Sequence, residues 1–208
     1  MLRRLLDSGI ESLQLDISEE SRERLIDYID LLSKWNQVYN LTSVRNPNEM
    51  VGRHLLDSLA IVPYITGHRI IDVGTGAGLP GIPLAIFFPE KFFTLLDSNS
   101  KKTRFLIQAK HELKLDNVEV VNARVEDYNP AHCFDQVLSR AFTKINDMLE
   151  MTQHLLCKDG QFLAMKGVYP EQELGELRNE FSISNIEPIK VPGVEGDRHV
   201  VIIQFAKT

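Results

Sequence analysis

Arg69-Ile-Ile-Asp72-Val-Gly74-Thr-Gly76-Ala-Gly78-Leu-Pro80-Gly81 is the stretch on which the fold turns. Its first five residues form a β-type apolar run, and Pro80 to Phe88 continue with a helical pattern, so the glycines occupy a strand-to-helix turn. Glycine lets the backbone turn tightly and lets a ligand approach closely, while a helix N-terminus offers unpaired N–H groups. A nucleotide-like ligand follows. Gly76-Ala-Gly78-Leu-Pro-Gly81 also satisfies the G-x-G-x-x-G pattern of dinucleotide enzymes, so the glycines alone leave a nicotinamide cofactor and S-adenosyl-L-methionine both open. Asp72 discriminates between them. At the end of its strand it is expected to face the ligand crevice, where a fixed carboxylate repels a pyrophosphate and attracts an ammonium and a sulfonium.

Downstream, short apolar runs alternate with helical patterns, as in βαβ units. Strands are expected at 69–73, 92–97, 118–123, 134–139, 160–167, 183–191 and 199–206, and helices at 80–88, 101–115, 145–157 and 170–181. Only the loop VPGVEGDR separates the last two strands, which predicts an antiparallel pair. Upstream the texture is helical. Leu25, Ile29, Leu32 and Trp35 recur at helical spacing over 18–39, with Ser18 as N-cap and Glu19 and Glu20 in the first turn, and a second helix spans 49–62. The expected fold class is therefore α/β, a Rossmann-like seven-stranded and mostly parallel sheet with helices on both faces. A helical extension, 1–66, packs on the sheet domain, 67–208, because its apolar faces need a partner.

The chain of 208 residues is 43% hydrophobic and 25% charged, enough for one substantial core. Its longest apolar run, Leu59 to Ile65, is far too short to cross a bilayer, and the first residues read as mature protein rather than a leader. Cys133 and Cys157 lack CxxC spacing, so neither a disulfide nor a zinc site is expected, and a reducing cytoplasm fits. His54 has no second ligand at i+4, and no metal is expected. A net charge of −6 excludes indiscriminate coating of nucleic acid, yet local basic groups stand at Arg45/Arg53/His54 and Lys101/Lys102/Arg104. A monomer is the default, since no heptad or spare apolar face remains.

Asp97 closes the second strand 21 residues after Gly76, where a carboxylate can accept from both ribose hydroxyls or merely cap a turn. Arg124-Val125-Glu126-Asp127 follow the third strand, either against an adenine edge or as a plain helix start. No Tyr-x-x-x-Lys accompanies any tyrosine, which weakens the oxidoreductase reading.

Taken together, KWNQVYNLTSVRNPNEM (34–50), RHLLDS (53–58), DVGTGAGLPGIPLAI (72–86), LLDSNSKKTRFL (95–106), LSRAF (138–142) and GDRHVV (196–201) resemble the ribosomal RNA small subunit methyltransferase G family over nearly the whole chain. Ala77 departs from the proline common there. The resemblance implies methyl transfer from S-adenosyl-L-methionine to N7 of a guanine in the 530 loop of 16S rRNA, in a small-subunit particle, with cofactor contacts at Gly74, Leu79, Val125, Glu126 and Arg140. The physical argument adds Asp72, Gly76, Gly78 and Asp97. Guanine N7 carries a lone pair and no proton, so no general base is expected, and Arg140 is the positioning residue. Arg53, His54, Phe142, Lys166 and Arg198 are the candidates for RNA contact. The competing readings are a nicotinamide-dependent oxidoreductase and a non-catalytic RNA-binding protein of ribosome assembly.

Overall fold

The computed structural model describes residues 1–140 and 144–206. Two helices open the chain, α1 (Leu2–Ser12) and α2 (Glu19–Tyr39). A continuous helical run follows, made of α3 (Pro47–Met50), a π-helical turn (Val51–Leu56) and α4 (Asp57–Leu59). The remainder alternates β1 (Arg69–Val73), α5 (Gly81–Phe87), β2 (Phe92–Asp97), α6 (Ser100–Glu112), β3 (Val118–Asn122), β4 (Phe134–Ser139), α7 (Ile145–Thr152), β5 (Leu156–Lys166), α8 (Glu171–Gly175), β6 (Phe181–Pro188) and β7 (His199–Phe205).

The seven strands form one sheet in the order β3-β2-β1-β4-β5-β7-β6, parallel except that β7 runs antiparallel between β5 and β6. Strand order reverses between β1 and β4, whose register pairs Asp72 with Leu138. A crevice at the carboxyl ends of strands opens at such a reversal. Both sheet faces are covered, which is why β1 is buried from Ile70 to Val73, with Asp72 the one polar residue among those four and Arg69 exposed at its start. Alternate residues serve opposite layers. Ile70, Leu95, Leu138 and Val200 join α1, α2, α5 and α6 in one apolar cluster, while Ile71, Leu96, Val137 and Val201 join α7 in the other. Residues of the 1–66 extension thus share a core with the sheet.

The expected cap is present, with Ser18 Oγ accepting from the Ser21 N–H at 3.1 Å. Three expectations are corrected. The amino-terminal residues form a helix that the sequence reading missed, with Leu6 and Ile10 fully buried and Gly9 so close to Leu56 that a Cβ would lie 2.2 Å from it. The helix expected over 170–181 is only the short α8, because Phe181 already starts β6. Cys133 and Cys157 form a disulfide. Register explains it: Phe134 pairs with Leu156, so the adjoining cysteines come within a Cα–Cα distance of 5.0 Å despite 24 residues between them. None of the described helices is long and apolar enough to cross a membrane.

The disulfide lies at the amino ends of β4 and β5, opposite the crevice. Closing a loop of 24 residues is worth about 3 kcal/mol in loop entropy. Dithiothreitol, or Cys133→Ser with Cys157→Ser, is therefore expected to lower the unfolding free energy from urea titration by that amount and leave ligand affinity unchanged. A matching fall in affinity would show that the two ends of the sheet are coupled.

Candidate functional site

The glycine turn is held from three sides. Gly74 and Thr75 donate to Leu96 O at 2.9 and 3.1 Å, which ties the turn to β2. Gly76 N donates to Asp97 Oδ2 at 2.9 Å, and Tyr28, buried on α2, donates its hydroxyl to Ala77 O at 2.7 Å. Asp72 does not stand open in the crevice as the sequence suggested. It is 1% exposed, and its Oδ2 accepts from Thr75 Oγ1 at 2.6 Å and from Gly81 N, at the start of α5, at 2.9 Å. Burial pushes its carboxyl up to about 6, against the opposing pull of those two donors. Its Oδ1 is buried without a hydrogen-bond partner. Such an orphan acceptor is costly and needs a reason.

A cavity of about 190 Å³ opens beside this turn, lined by Gly74 from the end of β1, Asp97 and Ser98 from the end of β2, and Arg124, Val125 and Glu126 after β3. Gly74 has a φ of +68°, and a Cβ there would meet nothing within 4 Å. Asp97 is buried. Its Oδ1 accepts from Asn99 N at 2.8 Å, and its Oδ2 also meets Lys102 Nζ at 3.5 Å. A carboxylate offers about four lone-pair positions, so Asp97 retains acceptor capacity. Gly76, Gly78 and Leu79 are not among the residues that line it: a Cβ on Gly78 would meet Ile82 and Leu106, and Leu79 is buried. The set fits S-adenosyl-L-methionine: an open glycine cradle, a carboxylate with a place for a ribose hydroxyl, and an anionic atom under the turn still lacking a donor.

A second, larger cavity of about 500 Å³ occupies the other half of the same sheet edge. Arg53 and His54 reach it from the π-helical turn, Asp57 from α4, Arg140 from the end of β4, Lys166 from the end of β5 and Arg198 from the approach to β7. Asp57, which sequence reasoning missed, is 6% exposed and holds two arginines, Oδ2 to Arg140 Nη1 at 3.2 Å and Oδ1 to Arg198 Nε at 3.1 Å. Lys166 Nζ pairs with Glu173 at 2.8 Å. His199 also lines the cavity and meets the half-exposed Tyr169 ring edge-on at 5.5 Å. Phe142 lies outside the described residues. Each cavity takes its strand-end residues from one side of the β1/β4 reversal, and Gly74 and Arg140 follow neighbouring strands there.

His54 is 5% exposed, and its Nε2 lies 2.9 Å from Thr42 Oγ1. Burial, followed by the nearby Arg140 charge, lowers its pKa to about 4. At neutral pH the ring therefore offers a hydrogen bond and no charge. Because the folded pKa lies below the unfolded value, the contribution to stability is complete above about 6.5 and lost as pH falls through about 4. Between pH 7.5 and 4 the wild type is expected to lose about 3 kcal/mol more unfolding free energy than His54→Gln, measured by urea titration. Asp72, raised in pKa, gains stability over the same interval, but equally in both proteins. Parallel curves would show that His54 is not buried neutral.

The comparisons with known proteins agree with this geometry. A family model described as "rRNA small subunit methyltransferase G" matches residues 21–201. A protein of Alteromonas mediterranea named "Ribosomal RNA small subunit methyltransferase G" is 52% identical over 200 residues, covering 96% of this chain and 95% of its own length. One of the same name from Vibrio vulnificus is 52% identical over 204 residues, covering 97% and 96%. Among solved structures, a SAM dependent methyltransferase from Aquifex aeolicus superposes with a TM-score of 0.62 at 16% identity, covering 84% of this chain and 98% of that one, which shows the fold.

Proposed function

Because the chain belongs to the rRNA small subunit methyltransferase G family, we propose that it transfers a methyl group from S-adenosyl-L-methionine to N7 of a guanine in the 530 loop of 16S rRNA. The observation that carries this reading is the pair of cavities on one sheet edge, one glycine-floored and acidic, the other lined by Arg53, Arg140, Lys166 and Arg198.

When bound, S-adenosyl-L-methionine supplies an electrophilic methyl on a sulfonium sulfur. Gly74 admits the nucleoside, Asp97 accepts from the ribose, and the Val125–Glu126 backbone borders the base. Asp72, through its unpaired Oδ1, holds the turn at a negative potential that suits a cationic ligand. Gly76, Gly78 and Leu79 shape the turn. The acceptor side needs no base, since N7 presents its lone pair without a proton, and His54 is already committed to Thr42. The protein's task is placement. Holding two reactants at near-attack distance and alignment supplies several kcal/mol, and Arg140, which lines the larger cavity from the end of β4, is the residue assigned that task. Arg53, Lys166 and Arg198 meet the RNA, whose target base must leave its stack to reach the sheet edge. The net charge of −6 favours a folded, protein-bearing small-subunit particle over naked RNA. The protein works there as a monomer in the cytoplasm.

The test is transfer of a radiolabelled methyl group to 30S particles and to naked 16S rRNA from cells lacking the protein, with the modified nucleoside identified by mass spectrometry. Label in 7-methylguanosine within the 530 loop, stronger on particles, is expected. Binding of the donor with no label on either substrate would remove the reading.

A further inference from the structure

Among the described residues Asp57 is the one acid lining the larger cavity, and it joins three parts of the chain that are far apart in sequence. Its partners stand 83 and 141 residues away, and each takes one carboxylate oxygen. Two guanidinium groups sharing a cavity repel each other, and a buried carboxylate between them removes that repulsion while fixing both planes. Both arginines keep about a quarter to a third of their side-chain surface, 26% for Arg140 and 31% for Arg198, so the clamp holds them at the cavity wall without sealing them.

Each arginine keeps part of its guanidinium for a ligand. Arg198 spends Nε on Asp57 and one Nη1 hydrogen on Asp197 O at 2.8 Å, and its Nη2 has no protein partner among the described residues. Arg140 spends one Nη1 hydrogen on Asp57 and keeps Nε and Nη2 among the described residues. The remaining N–H groups at the cavity wall are donors, and guanine presents O6 as an acceptor on the edge that carries N7.

We propose that Asp57 is a positioning residue for the acceptor base: by clamping Arg140 and Arg198 it fixes, at the cavity wall, the guanidinium donors that hold guanine O6. The inference rests on the methyl-transfer reading above and deepens it. Asp57 touches neither cofactor nor base; it acts through the two arginines. Asparagine at this position keeps one acceptor but turns the other arm into a donor facing a guanidinium, so one arginine is released.

The experiment uses the full-length chain and small-subunit particles reconstituted with either guanine or 2-aminopurine, which lacks O6, at the target position. Wild type is expected to prefer guanine by about 30-fold in kcat/KM, the worth of one charged hydrogen bond. Asp57→Asn is expected to lose most of that preference and a similar factor in kcat/KM, with donor affinity by calorimetry and melting temperature close to wild type. Arg198→Gln should reproduce the loss, and the double variant should be no worse than either single. It also stands in should Asp57→Asn fail to fold. A variant that keeps the guanine preference would overturn the proposal. Absence of label from the wild type on guanine particles would instead overturn the underlying methyl-transfer reading.

Discussion

Asp72→Asn is expected to yield a protein that is more stable at pH 7.5 and almost unable to bind S-adenosyl-L-methionine. Asparagine is isosteric, and its amide oxygen can still accept from Thr75 Oγ1 and Gly81 N, so the turn keeps its shape. The buried charge disappears. A carboxyl raised from 3.8 to about 6 carries a penalty of about 3 kcal/mol at neutral pH. Leaving an amide N–H₂ unpaired in place of Oδ1 gives back roughly 1–2 kcal/mol of that. The net expectation is a gain of about 1–2 kcal/mol in unfolding free energy, together with a loss of at least about 100-fold in donor affinity, because an anionic atom has become a donor. Urea titration and calorimetry on the same samples decide it. Weaker folding with intact affinity would mean that Asp72 serves the fold alone. The sign of the pH effect is a second check. The wild type gains this stability as pH falls through about 6 towards 3.8, whereas the variant does not.

Gly74→Leu and Gly78→Val are expected to fail in opposite ways although they stand four residues apart in one motif. Both have positive φ, +68° and +89°, so any side chain costs about 1 kcal/mol in backbone strain. At Gly74 the new Cβ meets nothing within 4 Å, and the side chain fills the 190 Å³ cavity instead. The protein should fold with a melting temperature only a few degrees lower and bind the donor at least about 100-fold more weakly. At Gly78 the Cβ would lie 2.5 Å from Ile82 and 2.9 Å from Leu106, so overpacking adds about 1–3 kcal/mol to the strain. Loss of folded yield is expected there. Equal melting temperatures for the two variants would refute the assignment of one glycine to the ligand and the other to the core.

What the sequence disclosed and what it hid separate by range. The seven strands, the Ser18 cap, the glycine turn and the acid closing β2 are written in local periodicity and turn chemistry, and the structure places them within a few residues of expectation. Arg53, His54, Arg140, Lys166 and Arg198 were singled out as separate basic residues, and the fold gathers all five around one cavity. Asp57 was invisible because its meaning depends on partners 83 and 141 residues distant. The only local hint was its place one helical turn after Arg53. The disulfide was hidden likewise by a register that no spacing rule encodes. Asp72 was found for its charge but assigned the wrong orientation, since strand position fixes where a side chain starts and its two donors fix where it ends. In α1, charged residues interrupt the apolar ones, which masked a helix whose Leu6 and Ile10 are wholly buried.

The π-helical turn at Val51–Leu56 has a consequence for the length of the chain as much as for its composition. A π turn accommodates one more residue than ordinary helical winding, and it acts as a phase shifter between Pro47 and Leu59. Forcing the same residues into ordinary winding, with none removed, would rotate all that follows by about 100° around the axis. Asp57 would swing out from between its two arginines while the glycine turn, which draws nothing from this segment, stayed whole. Such a rewound variant would be loaded with donor and blind to RNA.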